Sequence, residues 1–237
     1  MSETVLITGA GRGLGYELAR IFYAHQYRVF PLVRTQTAAE ELLMEMPYCH
    51  PIIADVGEDD CIDSIRTVVG DLTDTVDILI NNAGIPGIAY QFSEVTTQEV
   101  GELFNVHCLG VIRTVKAVSN YLEQSANPRI INISSRLGSL AMTASGEFNE
   151  GGFSYSYRIA KAAQNMLSLC LDQELRKKGI HVSSIHPGKM YTSCASHDAN
   201  LEPHEAAGSI FAWCQSACSS NTGQFLEPGT GNMPFPW

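Results

Sequence analysis

Two groups of residues in this chain have the types and spacing to do chemistry. Tyr157 and Lys161 stand four positions apart in a stretch of helical pattern, so a phenol and an ammonium share one helix face. The ordinary pKa of a tyrosine is about 10. A cation beside it favours the phenolate and lowers that value, each unit corresponding to about 1.4 kcal/mol. Such a pair can give a proton to an oxygen near neutral pH. The second group is the turn Thr8-Gly9-Ala10-Gly11-Arg12-Gly13-Leu14-Gly15, which follows an apolar run and opens a helical segment. Glycines permit a tight turn and close approach to a phosphate, and the helix N-terminus offers free N–H groups at a positive dipole end. In that context the turn reads as a dinucleotide site. Its spacing, Gly9-x-x-x-Gly13-x-Gly15, is not that of the common GxGxxG fingerprint.

The elements that must position these groups alternate along the chain. Strand-like runs fall at Thr4–Thr8, Arg28–Val33, Pro51–Ala54, Val76–Asn81, Arg129–Ser134, His181–His186 and Gln224–Leu226. Helical patterns lie near 14–25, 37–46, 58–69, 97–124, 155–178 and 204–218. Val5-Leu6-Ile7 and Ile78-Leu79-Ile80 are continuous apolar runs, as in strands buried on both faces. The alternation predicts an α/β fold: one Rossmann-type, doubly wound parallel sheet of about seven strands with helices on both faces. No repeat or linker divides the chain, so a single domain over 1–237 is expected. Pro31 inside the second strand cannot donate a ladder hydrogen bond, which predicts either a short strand or a bulge. The 18 residues from Arg136 to Phe153 exceed an ordinary βα loop and sit where α/β sheets bind ligands, so a flexible substrate flap is expected there.

Composition sets the class. Of 237 residues, 45% are hydrophobic, enough for a sizeable core and too many for a disordered chain. The 15 Lys and Arg against 25 Asp and Glu give a formal net charge of -10. An acidic chain has no global attraction for nucleic acid or anionic lipid, so neither partner is expected. No apolar run is long enough for a membrane helix, and the first residues lack the pattern of a signal peptide. The 7 Cys follow no repeated spacing and read as reduced thiols, which predicts a cytoplasmic protein. His197 and His204 flank an acidic stretch without a ligand motif, so no metal is expected.

In this order and on these elements, the motifs resemble the short-chain dehydrogenase/reductase family. The resemblance covers essentially the whole chain: TGxxxGxG at Thr8–Gly15, Asn81-Asn82-Ala83-Gly84 after the fourth strand, and Asn105 in the next long helix. Ser134-Ser135 ends the fifth strand, Tyr157–Lys161 matches YxxxK, and Pro187-Gly188 follows the sixth strand with Thr192 at its offset. Shortness, the enlarged Ser–Tyr segment and the ending Gly231-Asn232-Met233-Pro234-Phe235-Pro236-Trp237 are most similar to the carbonyl-reductase-like branch that includes the sniffer and C-factor proteins.

The resemblance implies an oxidoreductase moving hydride between a nicotinamide and a carbonyl or secondary alcohol. Tyr157 would be the general acid/base, Lys161 would lower its pKa and hold the ribose hydroxyls, and Ser135 would orient the substrate oxygen. Asn105 would hold a water linking Lys161 to solvent. Ser135 is preferred to Ser134 because Arg136-Leu137-Gly138 follows it as in the family. Gly9, Gly13, Leu14 and Gly15 would cradle the pyrophosphate, with Arg12 beside them reaching the 2′-phosphate. Asp55 and Val56 would meet the adenine, Asn82, Ala83 and Gly84 the adenosine ribose, and Pro187, Gly188, Met190 and Thr192 the carboxamide. The same residues have plainer readings: Tyr157 as a packed aromatic, Ser135 as a turn cap, Asp55 as the cap of a helix. The cofactor expected is NADP(H) rather than NAD(H). The acid that accepts the ribose 2′-OH in NAD sites is absent at the end of the second strand, where Arg34 stands, and Arg12 adds a second cation. Many relatives pair through their two long helices, here 97–124 and 155–178, so a homodimer or homotetramer is implied. A regulatory protein that senses the nucleotide with little turnover is the alternative on the same fold.

Overall fold

The computed structural model describes residues 2–149, 152–191, 200–216, 222–229 and 231–237. Seven strands form one sheet in the order β3-β2-β1-β4-β5-β6-β7, and every pairing is parallel. They are β1 (Thr4–Thr8), β2 (Arg28–Val33), β3 (Ile52–Ile53), β4 (Ile78–Asn81), β5 (Arg129–Ile133), β6 (His181–Ile185) and β7 (Gln224–Leu226). The helices are α1 (Gly13–Ala24), α2 (Gln36–Glu45), α3 (Cys61–Gly70), α4 (Thr97–Phe104), α5 (Gly110–Leu122), α6 (Leu140–Ala144), α7 (Tyr155–Leu175) and α8 (Pro203–Ser216). This is the doubly wound α/β architecture that the alternation of runs predicts.

Strand alternation sends β1 side chains to two cores. Val5 and Ile7 join Leu14, Leu18 and Phe22 of α1 and Ile210 and Trp213 of α8 on one face. Leu6 joins Ile65 and Val69 of α3, Val115 and Val118 of α5 and Leu175 of α7 on the other. The chain's end folds back onto the sheet edge. Phe235 N–H donates to the Phe225 carbonyl, and the rings of Phe235 and Trp237 pack on Phe225.

Two expectations change, and the segment after β5 gains detail. The strand holding Pro31 is neither short nor bulged: β2 runs six residues in unbroken register with β1, Ile7 opposite Pro31. The carbonyls of Val29 and Val33 accept from His50 and Ala54 on the β3 side, so the missing Pro31 N–H faces the same side by alternation. The β2–β3 ladder is only Leu32–Ile52 and Val33–Ile53, so proline costs the sheet little there. The single helix expected over 97–124 is α4 and α5 joined by a π-helical turn, Asn105–Leu109, in which Gly110 N–H donates to the Asn105 carbonyl. Finally, the segment after β5 holds a 3-10 turn, Arg136–Gly138, and the short α6. The Ser139 hydroxyl and the Ala141 N–H donate to the carbonyls of Pro236 and Trp237, which ties this segment to the tail.

Candidate active site

The glycine turn is shaped by what crowds it. Gly9 has φ +67, and a Cβ there would come 2.8 Å from the Ala83 Cα. A Cβ on Gly15 would lie 2.3 Å from the Gly9 carbonyl oxygen and 2.4 Å from Asn82 Nδ2, so only glycine fits. Asn82 is the tie between β1 and β4. Its Nδ2 donates to the carbonyls of Thr8 and Gly9 at 3.0 and 3.3 Å, and the Thr8 hydroxyl accepts from the N–H groups of Asn82 and Ala83. Gly13 differs: its φ is +58 and nothing lies within 4 Å of its missing Cβ, which leaves a cradle. It begins α1, whose N-cap, Arg12, gives no side-chain cap and whose first turn carries no acid. Uncapped N–H groups beside open space suit a pyrophosphate. Leu14 meets this cradle with backbone alone, because its side chain is in the core.

The turn after β1 packs against the end of β2. Ala10 N–H donates to the Leu32 carbonyl, and a Cβ on Gly11 would touch Val33 and Ala38 at 3.6 and 3.5 Å. Arg12 follows Gly11 in that turn, and Arg34 follows Val33, the last residue of β2. Both are exposed. Thr35 spends its hydroxyl capping α2. Asp55 accepts from the Gly57 N–H at 2.8 Å with one carboxylate oxygen, closing an Asx turn. Val56 is buried beneath it, and its carbonyl accepts from Arg113.

A satisfied polar network fixes α5 and α7 to the strand ends. Thr114 Oγ1 donates to Asn81 Oδ1 (2.6 Å), Asn81 Nδ2 to Asn132 Oδ1 (2.8 Å) and Asn132 Nδ2 to the Ser168 hydroxyl (2.8 Å). Buried groups that are all paired specify one geometry. On α7, Lys161 is 4% exposed, and its ammonium donates to the Ile133 carbonyl (2.7 Å) and to Gln164 Oε1 (2.9 Å). It stands 5.7 Å from the centre of the Tyr157 ring. The carbonyl it meets belongs to the last residue of β5, two positions before Ser135. A Cβ on Gly138 would lie 2.7 Å from the Lys161 carbonyl carbon, so the Ser135 turn rests directly on α7. Ser134 turns inward and donates to Asn165 Oδ1, leaving Ser135 on the other side. Ser135 Oγ does cap its turn, accepting from Leu137 N–H at 3.2 Å, and keeps its own proton to donate. The geometry thus sets the Ser135 turn against Lys161 at the end of β5, with the Tyr157 ring beside the same lysine.

Asn105 is not with them. Its Nδ2 donates to the Gly57 carbonyl and its Oδ1 accepts from Arg113, so it holds the β3–α3 turn against α5. The residue of this helix that reaches the pair is His107, whose ring meets Tyr157 edge-on at 5.5 Å. The π turn adds a residue to the helical repeat and so moves which side chain faces α7. A lone histidine between Val106 and Cys108 was the available signal. Burial first, and the Lys161 charge second, push its pKa down to about 3. At the other rim, Gly188 has φ +94, and Met190 bridges to Leu201 and packs on the core. Thr192 and His197 lie outside the described residues. His186, just before Pro187, is pushed to about 3 by burial and then by the charges of Arg136, Lys189 and Lys161. Among the described residues no cluster of acids, histidines and cysteines could hold a metal, and no helix is long and apolar enough to cross a membrane.

Residues 3–202 match the family model described as short chain dehydrogenase. The C-signal protein of Myxococcus xanthus is 31% identical over 163 residues, 69% of this chain and 95% of its own length. The crystal structure of NADPH-bound carbonyl reductase from chicken fatty liver superposes with a TM-score of 0.88 at 26% identity, covering 100% of this chain and 99% of that one. The carbonyl reductase Sniffer of D. melanogaster gives 0.87 at 26% identity over 100% of both chains. This chain belongs to the short-chain dehydrogenase family, oxidoreductases that act on carbonyl and alcohol groups.

Proposed function

We propose that the protein is an NADPH-dependent carbonyl reductase in which Tyr157 is the proton donor. The observation that carries this reading is the meeting of Tyr157, Lys161 and the Ser135 turn at the end of β5, fixed there by the Lys161–Ile133 hydrogen bond and the Gly138–Lys161 contact. The bound nucleotide supplies a hydride. The Ser135 hydroxyl donates to the substrate oxygen and stabilises charge gathering on it. Tyr157 gives its phenolic proton to that oxygen, and the Lys161 charge stabilises the phenolate left behind. Gly13 and the start of α1 hold the pyrophosphate, and Arg12 and Arg34 take the 2′-phosphate. The test is NADPH oxidation with a panel of reactive aldehydes, ketones and quinones. Turnover of several members is expected; tight NADPH binding with no turnover across the panel contradicts the reading. That outcome is what a nucleotide-sensing regulatory protein would give, a second reading supported by the likeness to a relative named C-signal.

In this reading Arg136–Phe153, Ile85–Gln91 and Lys189–His197 wall the substrate pocket; of these segments, 150–151 and 192–197 lie outside the described residues. The two halves of Arg136–Phe153 are held differently. α6 is tied to Pro236 and Trp237, whereas 145–149 is a turn with Gly146 at φ +87. Amide exchange over Arg136–Phe153 is expected to be faster than in β1, β4 and β5 and to slow when NADPH is added. Exchange equal to that of the strands in both states contradicts a flap.

The oligomer belongs to the same proposal. Ile159 and Met166 on α7 are 48% and 58% exposed, and Phe104 on α4 is 37% exposed. A homodimer through these helices would cover them. Sedimentation should give twice the chain mass, and Met166→Glu should shift it towards the monomer; a monomer at all concentrations contradicts the pairing.

A further inference from the structure

His107 has no part in the reading above, although it lies at its centre. The ring is 2% exposed. Its Nε2 is 2.9 Å from the Ile85 carbonyl oxygen and 3.2 Å from the Ile85 N–H nitrogen. Ile85 directly follows the Asn82-Ala83-Gly84 turn, whose N–H groups are tied to the glycine turn through Thr8. Gly84 is a glycine of necessity, because a Cβ there would come 2.6 Å from His107 Cε1. On its other side the ring meets Tyr157 edge-on, at 90° between planes. One imidazole therefore touches both the loop that continues the nucleotide turn and the ring of the proton donor. The titratable groups facing it are Tyr157 and Lys161, both on α7. Held far below neutrality by burial and the Lys161 charge, the ring is uncharged at working pH. Nε2 then carries the proton for the Ile85 carbonyl, the shorter of its two contacts.

We propose that His107 is a positioning residue that clamps the Gly84–Ile85 loop to the Tyr157 ring and so sets the donor's place beside Lys161. The inference rests on the reading of Tyr157 as proton donor. No bond is made or broken at His107; it acts through Tyr157. Losing the clamp frees the phenol from its contact with Lys161. A cation beside a phenol favours the phenolate, so a looser contact raises the pH at which the phenol loses its proton. Reduction needs the protonated phenol, so the basic limb of the kcat/KM profile moves to higher pH.

The test compares His107→Phe, His107→Gln and Gly84→Ala, with Tyr157→Phe as reference, by kcat, the pH profile, NADPH titration and thermal melting. His107→Phe keeps a ring and loses the hydrogen bond to Ile85. It is expected to lose at least about tenfold in kcat, equivalent to about 1.4 kcal/mol, with the basic limb moved up and NADPH affinity within about threefold of wild type. His107→Gln restores an N–H for the Ile85 carbonyl and should recover most of the rate. Gly84→Ala, which displaces the ring without touching its chemistry, should lower kcat and move the basic limb as His107→Phe does, with NADPH affinity falling as well because Gly84 also meets the adenosine ribose in the proposed site. Wild-type kcat and pH limb in His107→Phe overturn the proposal. So does an equal loss of rate and melting temperature in the Phe and Gln variants with the limb unmoved, the mark of a merely structural histidine. If Tyr157→Phe turns over normally, the reading of Tyr157 fails and this inference with it. If Tyr157→Phe is inactive while His107→Phe is unchanged, this inference alone fails.

Discussion

Replacing Tyr157 by Phe is expected to lower kcat by about 10²- to 10⁴-fold, the range for removing a positioned general acid. Nucleotide affinity should stay within about twofold. The substitution removes one hydroxyl and keeps the ring. The phenyl ring retains the edge-on contact with His107 and its place 5.7 Å from the Lys161 ammonium. The backbone N–H of residue 157 still donates to Ser154, which caps α7. The hydrogen bonds from Lys161 to Ile133 and Gln164 do not involve the phenol. A loss of rate with unchanged melting temperature therefore reports proton donation rather than folding. Measured by NADPH oxidation with one turned-over aldehyde and by a fluorescence titration of the nucleotide, near-wild-type turnover would remove Tyr157 from its assigned role.

The second large effect is expected at Arg34. Wild type should prefer NADPH over NADH by at least about tenfold in kcat/KM, equivalent to about 1.4 kcal/mol, and Arg34→Asp should lose most of that preference. Arg34 follows Val33 at the end of β2, and Arg12 follows Gly11, whose Cα side faces Val33 and Ala38. Each charge-assisted contact to a phosphate contributes about 1.5–3 kcal/mol. An aspartate at 34 would instead repel the 2′-phosphate and accept from the 2′-OH of NADH. Arg34 is exposed, so the substitution should leave the fold intact. The check is kcat/KM for both nucleotides in both proteins; equal use of NADPH and NADH by wild type contradicts the assignment.

The parts of the fold that local chemistry dictates were legible in the sequence. Continuous apolar runs mark β1 and β4 because both of their faces are buried. The glycine turn is legible because positive φ at Gly9 and Gly13, and the lack of room at Gly15, admit no other residue without strain. Tyr157 and Lys161 are legible because an unbroken helix puts i and i+4 on one face. Asn105 and His107 were not, because the π turn at Asn105–Leu109 has no marker in composition and shifts the helical phase between α4 and α5. Pro31 reads wrongly from propensity alone, since whether a missing N–H matters depends on which neighbour it faces. The tie from Ser139 and Ala141 to the tail is equally invisible, as it joins residues 96 or 97 positions apart. Ser134 and Ser135 differ by strand alternation, and Asn165 on α7 is what draws Ser134 inward.

The central claim is that this protein moves a hydride from NADPH to a carbonyl carbon, with Tyr157 supplying the proton. Its most direct test uses NADPH carrying deuterium at both C4 positions of the nicotinamide and an aldehyde or ketone chosen from the panel, with the product followed by NMR. Wild type is expected to give an alcohol carrying one deuterium on the former carbonyl carbon, in amount equal to the nucleotide oxidised, while Tyr157→Phe gives almost none in the same time. Nucleotide that binds tightly but transfers no deuterium to any carbonyl tested, or label appearing at the wild-type rate with Tyr157→Phe, would contradict it.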